Sequence, residues 1–464
     1  MHKIKNRVLA KSLHPIFFIL LIVGQSFAQS FNYGKDMQQA YLQTLRLNYS
    51  VVQSLTQKQL PHNGIAIYLE NFRIILPIFI LEDRDAYEKY SYLEDEHLNA
   101  IQALSASSPY YYFTQGEIKL HWALLKLKFG DNASAALNFR SAYKIIEEGL
   151  EKYPTHVPLL KTMALLKIAC GAIPPNYKWL IKLVGLEGDI PYGLTQLENI
   201  ANSKHLYAQE ALMWLVLCKH YLLSDDENNT ELNLLAKNTI NSPLIQFIVL
   251  SSTLHEAHTE IAFGLFNKTP LKYFEQIPGF YYLLGEAHLH KGEYHFAIKH
   301  FKNYLVSFKG KAYIKDAAFK LYICNVFINE NEEAQKYKQY ALTHGDVRND
   351  SDKQAQNLLT TTQFPHTRIF EIRYLTDGGY LSQALNIVNQ TPDTYFESEW
   401  DVYEYQYRKA RIYHKLGNIE QAMLYYDKTI ATHFENKEYF APNACLQMGY
   451  IYKNLNQNAK AKIY

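Results

Sequence analysis

The chain has 464 residues, 48% of them hydrophobic, enough for one long helical array or two ordinary domains. Lys plus Arg number 47 against 45 Asp plus Glu, so no cationic excess is present to neutralise phosphates, and nucleic acid is excluded as a partner on that ground. Glycine and proline are sparse, as a mostly helical fold requires, and the abundant tyrosine suits helix faces that mix burial with a wet edge.

Residues 1–28 read as a signal peptide. His2, Lys3, Lys5, Arg7 and Lys11 form a basic start, 16–23 (IFFILLIV) an apolar core, and Ser26-Phe27-Ala28 a small-residue cleavage site. Eight apolar residues fall far short of the roughly 20 that span a bilayer as a helix. The expectation is cleavage after Ala28, no transmembrane helix in the mature chain, and an exported protein that is periplasmic or outer-membrane associated. Cys170, Cys218, Cys324 and Cys445 lie far apart within apolar helical patterns, a spacing of buried free thiols rather than of a disulfide framework.

Residues 29–205 read as an N-terminal helical region. The apolar block 65–81 (IAIYLENFRIILPIFIL) predicts two core helices, because Pro77 ends or kinks a helix, and Glu70, Asn71 and Arg73 argue against a membrane span. The run 82–85 (EDRD) reads as a solvated turn or helix start. A clear hairpin follows, with helices over 110–128 and 133–153 joined at Gly130-Asp131 and stopped at Pro154. Within it, Tyr110-Tyr111-Tyr112 is the one dense aromatic run that a glycan could stack on, or that bridges helices. Around Gly171, Pro174-Pro175 precede a short apolar helix. A turn through Gly185, Gly188 and Asp189 then leads to a helix capped by Asp189 with Pro191 in its first turn.

Residues 206–275 predict two or three middle helices separated by a polar turn at 224–230 (SDDENNT). His255 and His258, in HEAHTE, fall near one helix face without a third ligand. His288, His290, His295 and His300 fall on differing faces, so no metal site is assigned. No nucleophile motif, phosphate loop or paired carboxylates is present, so no catalytic residue and no cofactor is assigned.

Residues 276–464 carry the repeat. In 280–301 (FYYLLGEAHLHKGEYHFAIKHF), Gly285 and Ala297 let two helices approach closely, Phe301 fills space beside them, and Gly292 sits at the reversal. The Gly-to-Ala offset of five recurs at Gly130 and Ala135, Gly379 and Ala384, and Gly417 and Ala422. Asparagine takes the turn at Asn329 with Ala334 and at Asn456 with Ala461. Ala410 and Gly449 match Gly285, and Tyr413 and Tyr452 match His288. The alanines at 297, 334, 384, 422 and 461 are 37, 50, 38 and 39 residues apart, against a tetratricopeptide period of about 34. The long interval holds a polar segment, 344–356, expected to form a loop and lengthen one helix. The array stops at Tyr464 before its last hairpin is complete, as expected of a truncated chain or of one whose last face a neighbouring chain covers.

The run Gly171, Pro174, Pro175, Trp179, Leu183, Gly185, Gly188, Asp189, Gly193 and Leu197, followed by such hairpins, resembles the inclusion-body clearance and tetratricopeptide-repeat-protein-thirty-nine family over about 110–464. The resemblance implies a non-enzymatic adaptor of stacked helices, in a family linked to protein quality control and lipid storage. The leader departs from that pattern and points to an exported bacterial branch.

The predicted fold is an all-α, right-handed superhelix of tetratricopeptide-like hairpins. Its expected role is a scaffold that binds a protein or peptide in a concave groove within an envelope complex. Candidate groove residues are Tyr282, Glu286, Tyr403, Arg408, Arg411 and Tyr450. The rivals are an envelope glycan-binding component and a histidine-based metal enzyme.

Overall fold

The computed structural model describes residues 30–173, 185–222, 230–237, 242–361, 364–432 and 439–464. The leader, the Pro174-Pro175 segment with Trp179 and Leu183, and most of the polar turn at 224–230 lie outside the described residues. Among the described residues the regular structure is helical, with no strand. The chain forms two compact units, 1–248 and 249–464.

The first unit contains α1 (Lys35–Leu45), α2 (Tyr49–Thr56), α3 (Gly64–Leu81), α4 (Arg84–Tyr90), α5 (Leu93–Gln102), α6 (Pro109–Lys128), α7 (Asn132–Lys152), α8 (Val157–Gly171), α9 (Ile190–Ala201), α10 (Ala208–Leu222) and α11 (Thr230–Lys237). Helix α12 (Pro243–His255) crosses the division between units. One continuous core built on Tyr68, Phe113, Trp122, Tyr143 and Tyr207 runs from Met37 to Cys218. The α6–α7 hairpin is started by side-chain caps: Ser108 accepts from the Tyr110 amide, Asp131 from the Ser134 amide. Asp189 likewise caps α9 by accepting from the Tyr192 amide at 2.9 Å.

One expectation for this unit needs correction. Residues 64–81 are one helix rather than two, because Pro77 lies only four residues from its end and costs it a single backbone bond. The helix is long and apolar enough to cross a membrane, yet Ile65 to Leu69 are buried in the core and Asn71 accepts from the Trp122 indole at 2.9 Å. The 82–85 run is a helix start, as one of its two readings expected: Asp83 caps α4, and Glu82 before it is buried and paired with Lys128 at 2.9 Å.

The glycines of the family-like run have a packing reason. A Cβ on Gly188 would lie 2.4 Å from the Gly171 amide nitrogen and 2.6 Å from the Cys170 carbonyl carbon. One on Gly193 would lie 2.6 Å from the Ala164 carbonyl oxygen. These neighbours are backbone and cannot rotate away, so Gly188→Ala is expected to cost about 2–3 kcal/mol, read as a lower urea midpoint at unchanged slope. In α13 (Thr259–Phe266), Gly264 has nothing within 4 Å, and Gly264→Ala is the contrasting control with a small gain in stability.

The second unit continues with α13, α14 (Leu271–Gln276), α15 (Gly279–Lys291), α16 (Tyr294–Ser307), α17 (Ile314–Phe327), α18 (Asn331–Thr343), α19 (Asp350–Thr360), α20 (Thr367–Asp377), α21 (Leu381–Gln390), α22 (Glu399–Lys415), α23 (Ile419–Ala431), α24 (Phe440–Asn454) and α25 (Asn458–Ala461). Helices α15–α16, α17–α18, α20–α21, α22–α23 and α24–α25 pack as successive hairpins. All six turn positions across the chain, Gly130, Gly292, Asn329, Gly379, Gly417 and Asn456, have φ between 59° and 86°, the left-handed region that Gly and Asn enter most readily.

The polar interval is not mainly a loop. Its second half begins a separate helix, α19, because Asn349 caps it by accepting from the Asp352 amide at 2.8 Å. The Asp352 carboxylate then accepts from the amides of Tyr313 (2.7 Å) and Asp316 (2.8 Å), which docks α19 onto the start of α17.

Candidate functional site

Four first helices of the second unit each carry a polar pair spaced i, i+4, the spacing that makes side chains neighbours on one helix face. These are Tyr282 and Glu286 on α15 (3.3 Å), Asp316 and Lys320 on α17 (2.7 Å), Arg373 and Asp377 on α20 (3.5 Å), and Glu404 and Arg408 on α22 (2.5 Å). Adjacent helices are then cross-linked. Lys320 Nζ donates to Glu286 Oε1 (2.5 Å) and to the Tyr282 hydroxyl (2.7 Å), which donates to Asp316 Oδ2 (2.5 Å). Arg373 donates to Gln354 Oε1 at 3.0 Å, and Arg408 to the Tyr439 hydroxyl at 3.2 Å. Burial alone would push the Lys320 ammonium down, but Asp316 and Glu286 outweigh it and hold it well above the ordinary lysine value. Burial, reinforced by the same two carboxylates, pushes the Tyr282 phenol up.

The structure corrects three of the six groove residues. Tyr282, Tyr403 and Arg408 are buried. Their polar tips are used inside the unit: Tyr282 in the lysine network, Tyr403 as acceptor for the Ala441 amide at 3.0 Å, and Arg408 on Glu404 and over the Phe440 ring at 5.5 Å. Glu286 and Arg411 are half-buried, and Tyr450 is 50% exposed. Of the repeat positions, Gly285, Ala297, Phe301, Ala334, Ala384, Ala410 and Ala422 are buried. A Cβ on Gly285 would stand 2.8 Å from the Phe301 ring. Tyr413 stacks on Tyr425 (5.6 Å) and Tyr452 on Tyr464 (5.5 Å), while Gly449 and Ala461 are half-buried.

The histidines also depart from expectation. His255 ends α12, Ala257 takes φ 63°, and His258 precedes α13, so a turn rather than one helix face joins that pair. His288 and His300, expected on differing faces, stack at 5.3 Å with planes 5° apart, because they face each other across the α15–α16 hairpin. His288 Nδ1 is 2.6 Å from Glu293 Oε2, and burial beside His288 pushes His300 down to about 4. Among the described residues no three His, Cys, Asp or Glu side chains converge to hold a metal. All four cysteines are free thiols; Cys170, Cys218 and Cys324 are buried, whereas Cys445 is half-buried.

Sequence reasoning missed a second polar cluster, in the first unit. Lys161 is completely buried, with Nζ 2.8 Å from Glu210 Oε1 and 3.3 Å from Glu117 Oε2. Thr162 donates to Glu117 Oε1 and Tyr41 to Glu210 Oε2, each at 2.5 Å. The signal that could have found it was a charge set within each of three largely apolar stretches: Lys161 in VPLLKTMALLKIACG, Glu117 in FTQGEIKLHW and Glu210 in AQEALMWLV.

An all-α stack of hairpins with a polar seam along its first helices defines a helical-repeat protein. Residues 403–431 and 442–464, which cover most of α22–α23 and of α24–α25, match the tetratricopeptide repeat family. No curated protein matches the chain. Among solved structures, the crystal structure of yeast Tom70 is similar at 11% identity and a TM-score of 0.35, over 90% of this chain and 86% of that one.

Proposed function

We propose that the chain is a non-enzymatic scaffold whose first-helix surface in the matched repeats holds a protein or peptide partner in the cell envelope. The observation that supports it most is the face shared by α22 and α24. Tyr439, Leu446 and Tyr450 are 37%, 48% and 50% exposed on α24 and at its start, and Arg411, on α22 of the preceding repeat, is half-buried. Tyrosine and arginine are among the residues that carry most of the energy of protein–protein contacts, and an exposed leucine adds apolar area around them. Export, envelope location and the absence of a membrane-spanning helix after cleavage belong to the same reading, and rest on the features of residues 1–28. So does membership of an exported branch of the inclusion-body clearance family, supported here by the close packing at Gly171, Gly188 and Gly193.

The test is capture from an envelope fraction with the mature chain as bait. Tyr450→Ala with Arg411→Ala is expected to weaken capture of a reproducible partner about tenfold or more while leaving the melting temperature within a few degrees. Capture unchanged by the double variant would overturn the assignment of this face. The glycan rival loses its dense aromatic run. Tyr110 packs edge-on to Tyr33 (5.4 Å), Tyr111 against Phe31 (6.2 Å), and Tyr112 is buried near Tyr153 (6.4 Å), so the three rings are engaged in packing on the segment before α1 and on the end of α7.

A further inference from the structure

The α15–α16 hairpin of the second unit is knit by a ladder of four near-parallel rings taken alternately from its two helices: Tyr281 on α15, His300 on α16, His288 on α15 and Phe296 on α16. Successive centroids stand 6.5, 5.3 and 5.2 Å apart, with planes 21°, 5° and 24° from parallel. Phe263 of α13 closes on His288 from outside the hairpin at 4.9 Å. The two central rungs are imidazoles, the side chains whose charge changes near neutral pH.

These two histidines are not equivalent. His288 Nδ1 faces Glu293 Oε2 at 2.6 Å, whereas His300 Nδ1 is buried with no hydrogen-bond partner among the described residues. An imidazolium carries a hydrogen on both nitrogens, so a protonated His300 has one at that Nδ1, inside the hairpin and facing no acceptor. Tyr281, at 6.5 Å, lies beyond the reach of about 6 Å at which a ring face compensates a cation. The charged groups that bear on the rings are Glu293 and Lys291 at His288, and His288 itself and Lys299 at His300. Glu260 of the packed α13 is engaged by Lys291 at 3.2 Å, and α14, α17 and α20 contribute none among the described residues. Burial first, then His288 and Lys299, hold His300 down at about 4. Its contribution to stability is therefore whole above the ordinary value of 6.5 and is lost as the pH falls toward about 4.

We propose that this ladder is a proton-sensitive lock. With both imidazoles neutral it holds α15 against α16; proton uptake in mild acid withdraws that hold. The lock goes beyond the scaffold reading and does not rest on it.

Urea unfolding of the full-length mature chain at about pH 7.5 and about pH 5, read by pulsed hydrogen exchange on peptides covering α15–α16, tests it. His300→Phe keeps a ring in the ladder and removes the proton site. The drop in pH should raise the wild-type unfolding constant about twentyfold more than that of His300→Phe. His300→Gln gives up the ring as well, yet should show the same reduced response whatever its stability at neutral pH, because the response and not the baseline is read. Glu293→Gln removes the one carboxylate that favours a proton on His288, and should be more sensitive to acid than wild type. Equal pH responses of wild type and both His300 variants would overturn the lock, as would a Glu293→Gln response no larger than that of wild type. Unfolding requires no partner, so either result leaves the scaffold reading standing.

Discussion

Lys161→Ala is expected to destabilise the first unit by about 3–5 kcal/mol, read from urea unfolding of the full chain. The ammonium is completely buried between Glu117 and Glu210, with the rings of Tyr207 and Phe113 5.2 and 5.8 Å away. Truncating it leaves two carboxylates buried with their hydroxyl donors, Thr162 and Tyr41, and no cation. The cost is that of stranding charge, not the net worth of the triad. A triple variant, Lys161→Met with Glu117→Gln and Glu210→Gln, should therefore recover most of the loss. If Lys161→Ala were to unfold at the wild-type midpoint, the cluster would not be closed to water.

The same cluster sets a pH dependence. Burial by itself raises the Glu117 carboxyl, but Lys161, His121 and the Thr162 hydroxyl together outweigh it and hold the group below its ordinary value of 4.5. A depressed folded value means stability present above about 4.5 and lost as pH falls through the lower, folded value. For Lys161 burial acts to lower the value, and Glu117 and Glu210 raise it above 10.5, so its contribution persists to high pH and fades only beyond that. Between these limits the contribution of this ion pair should be constant, while His121 and His156, held below the ordinary 6.5 by burial, subtract stability as the pH falls below about 6.5. Without Lys161 the stranded carboxylates take up protons more readily, so the deficit of Lys161→Ala should shrink as the pH is lowered through the acid range.

How far the sequence discloses the fold depends on what each residue type constrains. Gly292 and Asn329 announce a left-handed turn because few other residues adopt one at low cost, and both turns stand where that rule puts them. Asn349 is a readable helix start, but it opens a segment whose polarity suggests a loop, and that polarity outweighs the cap. The charged seam is legible only in part. Repeat register places Tyr282, Arg408 and Lys320 on first helices, but whether such a side chain faces water depends also on a polar partner one hairpin away: Asp316 lies 34 residues from Tyr282, and the Tyr439 hydroxyl lies 31 from Arg408. That distance varies with inserted elements such as α19, so no fixed offset marks the partner. The packing of α15 on α20 is hidden for the same reason, since it joins hairpins that are not neighbours in the repeat.

Tyr282→Ala separates the two meanings of that seam, and its expected cost is about 3–4 kcal/mol of unfolding free energy for the second unit. The ring is buried against Phe301 (5.9 Å), Tyr304 (5.4 Å) and Tyr313 (5.1 Å), with Lys320 Nζ 4.7 Å above it, so truncation opens a cavity at the centre of two hairpins. Tyr282→Phe keeps the ring and removes only the hydroxyl. Lys320 retains Glu286 and Asp316 as partners, so the loss should fall to about 1–2 kcal/mol. Arg411→Ala removes a hydrogen bond to the buried Tyr426 and should cost about 1 kcal/mol, well below the cost of Tyr282→Ala. An open groove would reverse this order: Tyr282→Ala would then leave the midpoint in place and abolish partner capture on its own, and the buried, internally satisfied role assigned to Tyr282 would have to be given up.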